Sequence, residues 1–177
     1  MSARVALLRG INVGKAKRVP MAELRALAGS LGFADARTHL QSGNLVYTSG
    51  ATAGEDRDRF ATALEERFGF AIDVVIVDGA RLAEVLAVHP FADGDPKRVH
   101  VGYGSGPLPE SLVNDLRALA REGERFAVDG DGDVLFADFT QGVHDSRAAT
   151  ALPRLVRPGF ITLRNLATVR AVADMVG

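Results

Sequence analysis

The order of apolar patterns in the N-terminal half restricts the fold of this chain more than any other feature. Residues 5–8 form a short apolar run typical of a buried strand, and two further strand patterns flank a tight turn at residues 42–43. Apolar residues recur at helical spacing after Pro20 and again within residues 56–68, and a β-branched run follows at 73–77. This β-α-β-β-α-β order predicts a split βαβ unit with a ferredoxin-like sheet.

The C-terminal half repeats the beginning of that order. Residues 98–139 contain the patterns of a strand, a helix and two strands around an Asp-Gly turn. Thr162 is placed to cap a final helix, so this half lacks a clear fourth strand unless residues 160–163 form a short one. We therefore predict an α+β fold with an internal duplication of ferredoxin-like subdomains, in which the second half is atypical and ends in a helix.

The breaks in pattern suggest three segments. Residues 1–79 are predicted to form the ferredoxin-like half and residues 80–96 a linking helix and turn, which Pro90 and the Asp-Gly-Asp-Pro sequence interrupt. Residues 97–177 are predicted to form the second α+β half with C-terminal helices.

Composition restricts the class of protein. Hydrophobic residues make up 47% of the chain and charged residues 24%, which is typical of a globular protein. The net charge of −1 means that the protein as a whole has no positive charge that would attract nucleic acid. The absence of cysteine excludes disulfides and thiol catalysis and fits a reducing compartment. Without a signal-peptide pattern or an apolar stretch approaching about 20 residues, we expect a cytoplasmic protein with no membrane partner.

The loop after the first strand is the strongest candidate for a ligand site. The first 22 residues hold five cations and no acid, and the loop contains Gly10 and Gly14, which allow close backbone approach. A helix N-terminus follows, and its free amides favour an anion. These features favour phosphate or carboxylate binding by Arg9, Asn12 and Lys15, although a solvated basic loop explains them equally well.

The better-known cofactor motifs do not fit. The Gly10-to-Lys15 sequence has three residues between its glycines where a Walker A loop has four, and no dinucleotide fingerprint follows a strand. The Asp129-to-Asp133 run lacks the glycine and glutamate of an EF-hand, and no two histidines are spaced as helical metal ligands. The sequence therefore predicts no cofactor, no metal ion and no identifiable catalytic residue.

Two further motifs are candidates for ligand contact. Asn44 closes a Gln-Ser-Gly-Asn sequence, whose residue types are also those that turns prefer. Arg164 and Asn165 would lie in the first turn of the predicted last helix, where a guanidinium, an amide and free backbone N–H groups could bind an anion.

Several motifs together resemble one known family. They are Leu-Leu-Arg-Gly-Ile-Asn-Val-Gly at residues 7–14, Gln-Ser-Gly-Asn at 41–44, His-Pro-Phe at 89–91 and Thr-Leu-Arg-Asn at 162–165. Over nearly the whole chain the sequence is similar to the bacterial domain-of-unknown-function family 1697. The resemblance implies a duplicated α+β architecture with ferredoxin-like subdomains, and it implies no reaction, cofactor or catalytic residue.

Three functions follow as hypotheses. The first is binding of a small anion or nucleotide-type ligand, with or without catalysis, by Arg9, Asn12 and Lys15 with Arg37 nearby; the remaining candidates are Asn44, Arg164 and Asn165. This grouping assumes that strands one and three run parallel, which would place Arg37 beside the basic loop and the Gln-Ser-Gly-Asn turn at the opposite end of the sheet.

Nucleic-acid binding ranks second, because strand one offers no aromatic residue and the third strand only Tyr47. The third hypothesis is a protein-interaction or regulatory module, and the sequence does not indicate an oligomeric state.

Overall fold

A computed structural model describes all residues, Met1–Gly177, and divides them into two compact units. The first unit comprises Met1–Ala83 with Ala171–Gly177, and the second comprises Glu84–Arg170. The predicted linking segment 80–96 contains most of one helix, Gly79–Val88, and the turn that follows it.

The first unit is a four-stranded antiparallel sheet with helices inserted between the strands. Its elements in chain order are β1 (Ser2–Leu8), α1 (Met21–Ser30), β2 (Ala34–His39), β3 (Asn44–Ser49), α2 (Ala53–Phe68), β4 (Val74–Asp78) and the beginning of α3 (Gly79–Val88). The strands lie in the order β2-β3-β1-β4, and each pairs antiparallel with its neighbours. This arrangement is the ferredoxin-like sheet that the pattern predicts.

Local sequence explains why α1 and α2 form against this sheet. Met21, Leu24 and Ala28 are buried along one side of α1. Helix α2 begins with a capping box in which Thr52 and Glu55 satisfy each other's backbone amides, and it ends at Gly69 in the left-handed region. The core between helices and sheet consists of buried apolar side chains, of which the largest fully buried ones are Leu8, Leu24, Leu45, Tyr47, Phe60 and Leu64.

The second unit has the same topology. Its elements are β5 (Val99–Gly104), α4 (Leu112–Leu119), β6 (Arg125–Val128), β7 (Val134–Asp138), α5 (Arg147–Leu155), β8 (Ile161–Asn165) and the beginning of α6 (Leu166–Val176). The strand order β6-β7-β5-β8 matches that of the first unit position by position. The internal duplication is therefore confirmed, and the short fourth strand that the sequence left open is present as β8.

The start of the last helix differs from the prediction. Thr162 and Arg164 lie on β8, which pairs with β5, and the helix begins only at Leu166. The cap is Asn165, whose Oδ1 accepts a hydrogen bond from the amide of Thr168 at 2.8 Å. Strand and helix follow each other without an intervening glycine or proline, so the apolar spacing continues across the boundary and conceals it. No helix of the protein is both long and apolar enough to span a bilayer.

Candidate functional site

The loop after β1 is closed by the side chain of Asn12. Its Nδ2 donates to the carbonyl oxygens of Val19 and Gln41 at 2.9 and 2.8 Å, and its Oδ1 accepts from the amide of Val19 at 2.8 Å. The backbone of Asn12 is left-handed, with φ 55°, a conformation that asparagine tolerates better than most residues. Asn12 therefore holds the loop in shape and joins it to the hairpin between β2 and β3.

That hairpin packs directly against the end of β1. The amide of Leu8 donates to the carbonyl of Gly43 at 2.9 Å, and a Cβ on Gly43 would lie 2.7 Å from Cβ of Leu8. Asn44 is buried, and its Nδ2 donates to the carbonyl of His39 and to Oγ of Ser42. The Gln-Ser-Gly-Asn motif thus shapes a four-residue loop and lets it pack closely on the neighbouring strand.

These contacts overturn the predicted placement of the two motifs. Strands β1 and β3 run antiparallel, not parallel, with Leu7 opposite Asn44. In a ferredoxin-like sheet the first and second strands are the parallel pair and the third runs back between them, so β1 and β2 end at the same edge. The basic loop and the hairpin consequently lie side by side at that edge.

The predicted cations of the first unit have separate surroundings. Arg9 Nη1 lies 2.9 Å from Oδ2 of Asp73, and both side chains are partly exposed, at 33% and 48%. Lys15 is exposed within the loop. Arg37 is exposed on β2, where its Nη2 donates to the carbonyl oxygen of Met175.

The remaining two candidates belong to the second unit. Arg164 Nη1 donates to Oγ1 of Thr162 and to the carbonyl of Leu163, and burial lowers the pKa of Arg164 to about 10. The amides at the start of α6 are occupied, since Thr168 donates to Asn165 and Ala167 donates to the carbonyl of Pro96 at 3.1 Å. These two amides are therefore not free to bind an anion.

A cavity of about 700 Å³ opens beside the basic loop, and we call it the α1 cleft. Its lining includes Arg18, Arg25 and Gln41, and none of its lining residues is acidic. Arg25 Nη1 donates to Oγ1 of Thr38 at 2.6 Å, while the side chain of Arg18 makes no hydrogen bond or ion pair within the chain. The lining residues are Asn12, Arg18, Val19, Pro20, Met21, Ala22, Arg25 and Gln41.

The first turn of α1 forms one wall of this cleft. Pro20 occupies the N-cap position and provides no side-chain cap, so the amides of Met21, Ala22 and Glu23 have no acceptor within the chain. The partial positive charge of these amides adds to that of the two arginines. The charged side chains that line the cleft are therefore both cationic, while Glu23 of the same turn pairs with Arg67 and is not a lining residue.

Sequence reasoning gave Arg18 only as one of several cations and did not identify Arg25 or Gln41 as site residues. Arg18 belongs to the acid-free stretch, whereas Arg25 lies on the helix and Gln41 in the hairpin. The signal for Arg25 is its position one turn after the start of the helix that follows the basic loop. That signal becomes informative only when the hairpin is known to lie at the same edge as the loop.

A second charged cluster lies within the first unit. Arg4 Nη1 donates to Oδ2 of Asp56 at 2.8 Å, and Tyr47 and Ser49 donate to the same carboxylate at 3.1 and 2.9 Å. Burial, together with the charge of Asp56, raises the pKa of Tyr47, so its hydroxyl remains a donor. This cluster supports the sheet from the helix side.

A family model matches residues 1–133 and is described as "Protein of unknown function (DUF1697)". The chain belongs to the DUF1697 family. One solved structure with the same fold is a conserved bacterial protein, SP0830 from Streptococcus pneumoniae, with 21% sequence identity, coverage of 99% of each chain and a TM-score of 0.80. At this identity the similarity shows the fold alone and no activity. None of the curated proteins matches the sequence.

Proposed function

We propose that the first unit binds a small anionic ligand, most simply one with a phosphate group, in the α1 cleft. The observation that carries this proposal is the combination of two arginines with the uncapped amides of Met21 and Ala22 around one cavity whose lining contains no acid. A phosphate has enough acceptor oxygens to accept two hydrogen bonds from one guanidinium group and further ones from helix amides.

The cavity size supports a ligand larger than phosphate alone. A volume of about 700 Å³ lies within the range of small-molecule sites. Val19, Pro20 and Met21 provide an apolar wall beside the cations, which suits an organic group attached to the anion. The lining residues include no histidine, carboxylate or hydroxyl side chain. We therefore propose that the cleft binds a ligand and does not itself provide a general base.

The residues chosen from sequence take secondary places in this proposal. Asn12 shapes the cleft through its three internal hydrogen bonds, and Arg9 and Lys15 add charge around the approach to it. Ligand contact by the other four candidates gains no direct support from their positions and stays a prediction. These candidates are Asn44, Arg37, Arg164 and Asn165.

RNA binding is less well supported. RNA-recognition sheets of this topology expose aromatic side chains on their central strands. The only aromatic residue of β3, Tyr47, is buried and stacks on Phe33 with ring centroids 4.2 Å apart. We also propose a cytoplasmic location, on the basis of the cysteine-free composition.

Calorimetric titration of phosphate and of adenosine monophosphate at low salt tests the proposed function. Replacing Arg18 by Gln removes a charge and breaks no internal contact, so about tenfold weaker binding is expected. Arg154→Gln is the matched control, because Arg154 is an exposed arginine of the second unit without an internal partner. No binding by the wild type, or equal affinities of wild type and Arg18→Gln, would overturn the proposal.

A further inference from the structure

A second cavity of the first unit, of about 660 Å³, contains a buried charge. It lies where the beginning of β1, the end of β4 and the start of α3 meet the C-terminal residues, and we call it the Arg4 cavity. Its walls are mostly short side chains, and Arg4 and Asp78 contribute its charged groups. The small wall residues are Ser2, Ala3, Gly79, Ala80, Ala83, Ala173 and Gly177.

Arg4 enters this cavity with one nitrogen uncommitted. Its side chain is only 7% exposed; Nε donates to Oδ1 of Asp78 at 2.7 Å, and Nη1 donates to Asp56 and to the carbonyl of Ala51. Nη2 donates to no acceptor within the chain, and it is not among the fully enclosed polar atoms. Because Arg4 is one of the residues that line the cavity, a ligand inside it could accept a hydrogen bond from this remaining donor.

Asp78 presents the complementary acceptor. Its Oδ1 is occupied by Arg4, its Oδ2 makes no hydrogen bond within the chain, and its side chain is 50% exposed. Nη2 and Oδ2 belong to the two planar groups that the Nε–Oδ1 bond already joins, so the open donor and the open acceptor are neighbours. Such a pair matches a ligand with an acceptor and a donor on one planar group.

The surrounding charges select against simple ions. Arg4 is flanked by the carboxylates of Asp56 and Asp78, so a carboxylate or phosphate would approach two like charges, and an ammonium would approach the guanidinium. A primary carboxamide is neutral; its oxygen can accept from Nη2 while its NH₂ donates to Oδ2. The short wall side chains leave room for a flat group attached to the amide.

We propose that the Arg4 cavity binds a small neutral ligand through a primary carboxamide group. This site is separate from the α1 cleft and does not depend on anion binding there. Removing the acceptor at Asp78 converts the pair into two donors, and the preference of the site should then shift from an amide toward a carboxylate.

Three pyridines that share a ring and differ only in their head group test this proposal on the full chain. They are nicotinamide, nicotinate and 3-(aminomethyl)pyridine, titrated while backbone amide NMR shifts are followed. Nicotinamide is expected to bind with a Kd on the order of 1 mM and to shift the amides of Gly79 and Ala80. The two charged analogues are expected to bind at least about tenfold more weakly.

Two variants complete the test. Asp78→Asn should weaken nicotinamide about tenfold and strengthen nicotinate, whereas Asp145→Asn, a change at an exposed carboxylate of the second unit, should alter neither affinity. Ala83→Leu fills the cavity from the exposed side of α3 without touching the ion pair, and it should abolish nicotinamide binding. The proposal fails if nicotinamide produces no shifts at about 20 mM, if nicotinate binds equally well, or if folded Ala83→Leu binds as the wild type does.

Discussion

Asn12 Nδ2 donates a hydrogen bond of 2.8 Å to the carbonyl oxygen of Gln41, and this bond joins the loop after the first strand to the hairpin after the second. The two segments carry the most distinctive motifs of the sequence. Their union at one edge of the sheet creates the α1 cleft, whose lining includes both residues.

Replacing Asn12 by Ala should destabilise the protein by about 2–3 kcal/mol, because three hydrogen bonds are lost and alanine is less tolerant of φ 55°. For a chain of this size the melting temperature should fall by roughly 4–12 °C. Asn114→Ala, on the exposed surface of α4, is the control and should change it little. An unchanged melting temperature for Asn12→Ala would show that these hydrogen bonds do not hold the loop.

Gly43→Ala should destabilise the protein by about 2–4 kcal/mol, because the new Cβ meets Leu8 at 2.7 Å and the backbone has φ 78°. Gly14→Ala separates these two causes, since Gly14 also has a positive φ, 61°, but a methyl group there would meet no atom within 4 Å. Urea unfolding should therefore give a loss of only about 1–2 kcal/mol for Gly14→Ala. Equal losses for both variants would contradict the close packing of the hairpin on β1.

Asp56→Ala should cost about 3–5 kcal/mol, because it leaves the buried guanidinium of Arg4 with one carboxylate fewer and removes the acceptor of Tyr47 and Ser49. Chemical denaturation measures this loss. The exposed carboxylate of Asp58, paired with the adjacent Arg57, should cost under about 0.5 kcal/mol when replaced by alanine. A small effect at Asp56 would mean that the cluster adds little to the stability of the first unit.

The second unit should lose stability as the pH falls below about 6.5, in part through His100. Burial lowers the pKa of His100 from its ordinary value of 6.5, and His144 acts in the same direction. Its Nδ1 donates to the carbonyl of Arg98 at 2.7 Å, which fixes the neutral tautomer. Because the unfolded chain binds this proton more readily, stability is complete above 6.5 and declines as the pH falls toward the lowered value.

Thermal unfolding between pH 7.5 and 5.0 measures this dependence. His100→Gln should flatten the curve, while His144→Gln, a change at an exposed residue, should leave most of the slope. His89 contributes to the pH dependence of thermal stability in both variants, since burial and the nearby Arg170 lower its pKa as well. A slope unaffected by His100→Gln would remove this residue as a contributor.

Phosphate affinities of single variants should distinguish binding in the α1 cleft from binding by the residues predicted from sequence alone. Arg25→Gln should weaken phosphate binding about tenfold, whereas Arg9→Ala and Lys15→Ala should each weaken it less than about threefold, because Arg9 is engaged with Asp73 and neither residue lines the cleft. Calorimetry at low salt provides the comparison. The reverse ranking would place the ligand on the loop itself.

The order of strands and helices was predictable from sequence because each element carries its own period and most are separated by glycine or proline. The boundary between β8 and α6 was not, since Asn165 serves as both the last strand residue and the helix cap. The relation between the motifs required the direction of β3, and an error in that direction moved the hairpin to the wrong end of the sheet. For the α1 cleft, the sequence predicted the positive charge of the region but not which residues meet there, because Arg18, Arg25 and Gln41 come from the loop, the helix and the hairpin.

The first unit is assembled from two stretches of chain, Met1–Ala83 and Ala171–Gly177, and the entire second unit lies between them in sequence. Arg37, on β2, donates to the carbonyl of Met175, so an edge strand of the first unit binds a residue that is synthesised after the entire second unit. During synthesis on the ribosome, all contacts of the N-terminal sheet can therefore form only after the second unit has been made. A fragment ending at Ala83 would lack that final segment.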